Sequence, residues 1–204
     1  MGTDIRKGRK FDQVIDGARA VFMRDGYDGA SVDDIAREAG VSKATLYSYF
    51  PDKRVLFLEI AARETRRQAD AFKDRVDESQ PPDLYLRSAG RKILDFLLSD
   101  LGQAMFRIAV AESARFPEVG RRFYENGPGL VKDRLSQYFA CCIARGELAI
   151  DDIELAAEQF AELCKARAFP ICTFQSRCEL DEDERRKIID GAVEMFLARY
   201  GVRS

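Results

Sequence analysis

Apolar residues recur at helical spacing along nearly the whole chain, and nowhere do they alternate with polar residues over the length of a strand. Phe11, Val14, Ile15, Ala18 and Phe22 fall at i, i+3, i+4, i+7 and i+11, one face of a helix that Gly26 stops shortly after Arg24. Ser31-Val32-Asp33-Asp34 is a capping-box-like start, with Ser31 as N-cap and Asp34 three residues on. The short helix it opens buries Val32, Ile35, Ala36 and Ala39, and Gly40 ends it. Val41 and Ser42 then lead into a third helix. A long helix is expected from Lys53 to about Val76, and Asp77-Glu78-Ser79-Gln80-Pro81-Pro82 is too polar and proline-rich to continue it. Further periodic segments follow at about 83–99, 102–115, 118–145, 152–175 and 182–200. Gly127-Pro128-Gly129 should interrupt the third of these, and Leu180-Asp181 is a cap region. The fold class is therefore all-α.

Composition narrows the chemistry. The chain of 204 residues contains no histidine, which removes the commonest general base and metal ligand and makes a Ser-His or Cys-His nucleophile impossible. Five cysteines lack the spacing of a zinc site and, being odd in number, do not read as a disulfide framework. Cys141, Cys142, Cys164 and Cys172 lie in apolar helical sequence and are expected as reduced, buried thiols. Redox chemistry at Cys141-Cys142 and Cys178 is the alternative. No apolar run approaches a membrane span and no signal-peptide core is present, so a cytoplasmic protein without a membrane partner is expected. No catalytic or metal-ligating residue is assigned, no cofactor is expected, and the chain is not read as an enzyme. The formal net charge of −2 does not announce a nucleic-acid partner. Only local placement of charge can.

The stretch Ser42-Lys-Ala-Thr-Leu-Tyr-Ser-Tyr-Phe-Pro-Asp-Lys53 makes the sharpest suggestion. In a helix beginning after Ser42, Leu46 and Phe50 point inward together. Lys43, Ala44, Thr45, Tyr47, Ser48 and Tyr49 occupy the other faces. That array suits a helix in a DNA major groove, because Lys donates to guanine, a methyl meets the thymine methyl, and tyrosine hydroxyls bond phosphate. The alternative is a short polar surface helix whose tyrosines merely shield the edge of the core.

Ser31-Val32-Asp33-Asp34-Ile35-Ala36, then Ala39-Gly40-Val41-Ser42, then Thr45-Leu46-Tyr47-Ser48-Tyr49-Phe50 and Lys53, closely resembles the helix-turn-helix of TetR-type transcriptional regulators. The segment from Ala18 to Tyr27 resembles it as well, and the likeness runs without a gap over about residues 10–58. It implies an N-terminal three-helix DNA-binding domain at 1–54, a connecting helix at about 53–76, and a larger helical domain over 55–204 that dimerises and binds an inducer. Carried over by position, Lys43, Ala44 and Tyr47 meet bases and adjoining phosphates. Thr45, Tyr49 and Lys53 contact the DNA backbone. Ser31 and Val32 begin the second helix, whose terminal amides face a phosphate, and Ser42 and Ser48 complete the surface. Asp33, Asp34 and Glu38 should be partly turned away from DNA. The basic arm Arg6-Lys7-Gly8-Arg9-Lys10 either reaches phosphates or is a plain solvated terminus. A weaker likeness around Arg115-Phe116-Pro117 and Arg121-Arg122-Phe123-Tyr124 points to one ligand-domain subgroup of that family.

In the C-terminal half, Phe96, Phe106, Val110, Phe123, Tyr124, Tyr138 and Phe139 are pocket candidates, with Arg107, Glu112 and Arg121 as polar anchors; core packing is the competing reading for each. Ile188, Ile189, Ala192, Val193, Phe196 and Tyr200 form one stripe, and Phe160, Leu163, Cys164 and Arg167 form another. These stripes face either their own domain or, as the resemblance implies, symmetry mates in a four-helix bundle. The expected function is a homodimeric repressor of a palindromic double-stranded DNA operator, released by a small-molecule effector. A TetR-like activator, a ligand-independent regulator, a helical-bundle enzyme and a protein-binding module are the alternatives.

Overall fold

A computed structural model describes residues 9–73, 79–175 and 180–202. These form helices α1 (Arg9–Gly29), α2 (Val32–Glu38), α3 (Lys43–Tyr49), α4 (Lys53–Lys73), α5 (Pro82–Leu98), α6 (Asp100–Glu112), α7 (Pro117–Asn126), α8 (Pro128–Ala144), α9 (Ile153–Leu163), α10 (Ala168–Phe174) and α11 (Glu182–Tyr200). Among the described residues the β-structure is an isolated antiparallel bridge between Leu148 and Gly201. The expected all-α class holds. By packing, the chain divides into one compact unit of residues 1–67 with 104–123, and a second of 68–103 with 124–204.

In the first unit α1 supplies the floor. Phe11, Val14, Ala18 and Val21 are essentially inaccessible, as are Ile35 of α2, Leu46 of α3, Phe50 just beyond it, and Leu56 of α4. Burying a large aliphatic or aromatic side chain contributes about 1.5–3 kcal/mol, more than helices this short gain from their own hydrogen bonds. Rings bind the parts together: Phe11 stacks on Phe50 at 5.6 Å between centroids, and Phe57 of α4 meets Phe22 at 5.1 Å and Tyr27 at 5.0 Å. The helical path of α1 kinks at Gly26, where the stop was expected.

The second unit is built on α5, α8, α9 and α11. Phe196 of α11 is central, 4.9 Å from Phe139 of α8 and 5.4 Å from Phe160 of α9. Gly127 caps α8 and Pro128 opens it, so the expected interruption is present. Asp181 and Glu184 make a reciprocal capping box at the start of α11.

Two expectations are corrected. The periodic segment 152–175 is two helices, α9 and α10, separated at Arg167, whose φ is +64°. Pro170 is the overlooked signal: in one continuous helix its ring would clash with the carbonyl of Ala166, whereas three residues into α10 it sits in a first turn that needs no amide. Cys172 is disulfide-bonded rather than reduced; an odd cysteine count argues against a framework but not against a single bridge. Cys141, Cys142 and Cys164 are free thiols, and burial pushes the Cys164 thiol up to about 12. Cys178, residues 6–8 of the basic arm, residues 74–76 expected in α4, and residues 77–78 of the linker lie outside the described residues.

The closest approach in the first unit is at Gly17, where a Cβ would lie 2.6 Å from the backbone nitrogen of Ala39 and 2.7 Å from its Cα. Gly17→Ala must therefore push α2 away from α1. A loss of about 1–3 kcal/mol is expected from such overpacking, read as a lower urea midpoint at unchanged slope.

Candidate nucleic-acid interface

The α2–turn–α3 unit is assembled by local bonds. Ser31 Oγ accepts the Asp34 amide at 3.0 Å and its hydroxyl donates to the Asp34 carboxylate at 2.5 Å. Gly40 takes φ +62°, a conformation only glycine adopts without cost. It lets its amide reach Arg37 O at 3.2 Å and that of Val41 reach Ala36 O at 3.0 Å, closing the end of α2. Ser42 then caps α3, its Oγ accepting the Thr45 amide at 3.1 Å.

On α3 the inward pair is as expected: Leu46 is 0% exposed and Phe50 1%. Lys43, Ala44, Tyr47 and Ser48 are exposed, and Thr45 and Tyr49 are half-buried. The hydroxyls divide by role. Thr45 Oγ1 is bonded to Ser42 Oγ at 2.9 Å, and the Ser48 hydroxyl donates to the Thr45 carbonyl at 2.6 Å. These three serve the helix itself. The two tyrosines also part company: Tyr49 meets Phe11 edge to face at 5.5 Å, shielding the core edge, while Tyr47 stands out at 48% exposure. Lys43 and Tyr47 thus lead the outward face, with the Ala44 methyl beside them. Ser31 is exposed and Val32 half-buried at the start of α2, and Arg9 and Lys10 are exposed at the start of α1.

Charge in this unit is locally compensated. Asp34 pairs with Arg37, Asp25 with Arg24, and Arg24 also approaches Glu38 at 3.8 Å. Hydrogen bonding from Ser31, helped by Arg37, holds the Asp34 carboxyl below its ordinary range; the Arg24 guanidinium does the same for Asp25. Asp33 departs from expectation, since it is paired with Lys43 instead of being turned away. Lys53 differs too. Its ammonium donates to the carbonyls of Tyr27 at 2.8 Å and Ala30 at 2.9 Å, and lies 4.3 Å from the Tyr27 ring centroid. It ties the start of α4 to the α1–α2 connection. Arg54 escaped the sequence reading altogether: it grips Asp52 through two nitrogens and also bonds Glu112, which is 6% exposed. No spacing rule links residues 54 and 112, so only the fold reveals that pair.

The pocket residues proposed from sequence are divided between the units. Phe106 and Phe123, 6.3 Å apart, belong to the first with Arg107 and Val110. Phe96, Tyr124 and Tyr138 belong to the second. Val110 and Tyr124 are 61% and 50% exposed, and Glu112 is occupied by Arg54. Tyr138 is a core residue: its ring stacks on Tyr85 at 3.5 Å and its hydroxyl donates to Gln80 O at 2.7 Å. Of the stripe residues, Phe160, Ile189, Ala192, Val193 and Phe196 are buried in the second unit's own core, and Ile188 packs against it. The periodicity marked the inward face. The outward sides of α9 and α11 instead form an apolar groove of about 660 Å³ lined by Leu155, Leu163, Met195, Phe196, Tyr200 and polar neighbours, with Arg167 exposed nearby in sequence.

A capped short helix, a glycine turn and a second short helix with an exposed Lys–Tyr face define a helix-turn-helix unit. Residues 14–60 match the model for bacterial regulatory proteins of the tetR family, and residues 85–202 match the AefR-like transcriptional repressor C-terminal domain. The chain belongs to the TetR family of bacterial regulatory proteins. It is similar to a TetR-family regulator structure from Mesorhizobium loti, with 29% identity, 97% of this chain and 99% of that one covered, and a TM-score of 0.80. It is also similar to the flavonoid-responsive regulator FrrA, with 32% identity, 97% and 100% coverage and a TM-score of 0.70. The transcriptional activator FasR of Mycolicibacterium smegmatis is 29% identical over 99 residues, 48% of this chain and 45% of that protein. The repressor Rv1474c of Mycobacterium tuberculosis is 39% identical over 57 residues, 28% and 30% of the two chains. The chain thus spans less than half the length of these curated relatives.

Lys53→Ala leaves two carbonyls without their charged donor. A loss of about 1–2 kcal/mol of unfolding free energy is expected, measured by denaturant titration without DNA. Unchanged stability combined with weakened DNA binding would return Lys53 to the phosphate contact expected from sequence.

Proposed function

We propose that this regulator is a homodimeric repressor that holds a palindromic operator through α3 and releases it on binding a small molecule. The exposed Lys43–Ala44–Tyr47 face, on a helix anchored by Leu46 and Phe50, is the observation that carries the reading. Lys43 reads a base, Tyr47 and the α2 N-terminus meet phosphates, and Thr45 and Tyr49 support them from half-buried positions. Residues 1–54 do the DNA work, and residues 55–204 carry dimerisation and effector binding. Repression is favoured by the AefR-like repressor match over residues 85–202. FasR, named as an activator, keeps activation as the second reading. Response to an effector is supported by the likeness to FrrA, which is described as flavonoid-responsive. The proposed site of action is the cytoplasm; among the described residues no helix is long and apolar enough to cross a membrane.

The dimer contact is assigned to the groove on α9 and α11, where Met195 is 62% and Leu155 46% exposed beside Leu163 and Tyr200. Two-fold pairing of such a surface buries each groove against its mate and sets two α3 helices about 34–36 Å apart, one turn of DNA, or somewhat more. Footprinting on the promoter region of its own gene should show paired half-sites. Met195→Glu should yield a monomer in sedimentation with operator affinity lowered at least tenfold, because half of the contacts are lost. A variant that is monomeric yet binds the operator as tightly as the parent would rule out dimeric recognition.

A further inference from the structure

Asp33 and Lys43 belong to different helices, yet the α2–α3 turn brings carboxylate and ammonium into an ion pair. Both side chains are well exposed, 63% and 57%, so the pair adds little to stability. Its neighbours sharpen the point. The adjacent acid Asp34 is held by Ser31 and Arg37, and Glu38 faces Arg24, so Asp33 is the α2 acid directed at the outward face of α3. An acid there is costly beside a polyanion, and it occupies the cation best placed to meet DNA.

We propose that Asp33 is an affinity-setting residue that competes with DNA for Lys43. The proposal rests on the reading of Lys43 as a DNA contact. On random sequence, Lys43 exchanges one anionic partner for another, and Asp33 is left unpaired near the phosphates, so little is gained. On the operator, Lys43 meets a base edge as an additional acceptor, and the remaining contacts of α3 fall into register; the exchange is then favourable. Because the pair must be given up whichever duplex Lys43 meets, Asp33 lowers the affinity of α3 for DNA in general. This gives a mildly acidic protein a way to keep a cation on its recognition helix without adhering to all DNA.

The test is a double-mutant cycle on the full-length protein with a fluorescent random-sequence duplex, followed by anisotropy over a salt series. Asp33→Asn should tighten random-duplex binding roughly two- to fivefold per protomer, the coupling an exposed pair allows. It should also steepen the salt slope by about one per protomer. Lys43→Ala should weaken binding, and in that background Asp33→Asn should change affinity little. Asp33→Glu, which keeps the charge and the reach, should stay at the parent affinity. Equal gains from Asp33→Asn in both backgrounds would mean general repulsion and would overturn the proposal, as would no gain in the parent or an equal gain from Asp33→Glu. If Lys43→Ala bound as tightly as the parent, the reading of Lys43 itself would fail and take this proposal with it. Circular dichroism melts of each variant ensure that only folded protein is compared.

Discussion

Burial of Leu46 and of Phe50, which stacks on Phe11, is the packing on which the proposed DNA-reading surface depends. With seven residues, α3 is far too short to be stable alone, since isolated helices below about 12–15 residues are marginal in water. Its helicity is lent to it by tertiary packing. The same two side chains fix its rotation about its own axis, because they lie four apart on one face. Once they are inward, Lys43, Ala44 and Tyr47 are outward, whatever DNA is present. The Ser42 cap and the Gly40 turn add local definition, but neither sets the rotation.

Several features were legible in the residues themselves. Caps at Ser31 and Ser42, the Gly40 turn and the Gly127-Pro128 break are local chemistry, and local chemistry can be read along a chain. Helical periodicity was equally readable, but it reports which face is apolar and not what covers it. Hence the stripe of Ile189, Val193 and Phe196 could face its own domain or a partner on periodicity alone, and these residues are found within their own core. Tyr138 was offered to a ligand and is stacked on Tyr85. Lys53 shows the same limit for charge: its position suits a phosphate, yet two carbonyls 23 and 26 residues away claim it. Pro170 differs, because the signal was present in the sequence and was overlooked. Its place in a first turn explains both the break at Arg167 and the short α10.

Electrostatics in the DNA-reading unit works by local pairing and not by bulk charge. Arg24, Arg37, Arg54 and Lys43 each face a carboxylate, so the charge these four cations present to solvent is partly compensated at short range. A unit built this way gains less from non-specific attraction than a strongly basic one does. On the proposed reading it relies more on fit between α3 and the base edges, which is a demand on geometry. That demand returns to Leu46 and Phe50. Any loosening of their packing would blur the orientation of Lys43 and Tyr47 together.

The central claim is that α3 lies in the major groove and reads base edges there. The most direct measurement is base-analogue interference on an operator selected from a random pool. At each position 7-deazaguanine removes the major-groove N7 acceptor, uracil removes the thymine methyl, and inosine removes only the minor-groove amino group. The account predicts that binding falls at a few adjoining positions in each half-site for the first two replacements and is indifferent to inosine there. Binding sensitive to inosine but insensitive to every major-groove replacement would contradict it.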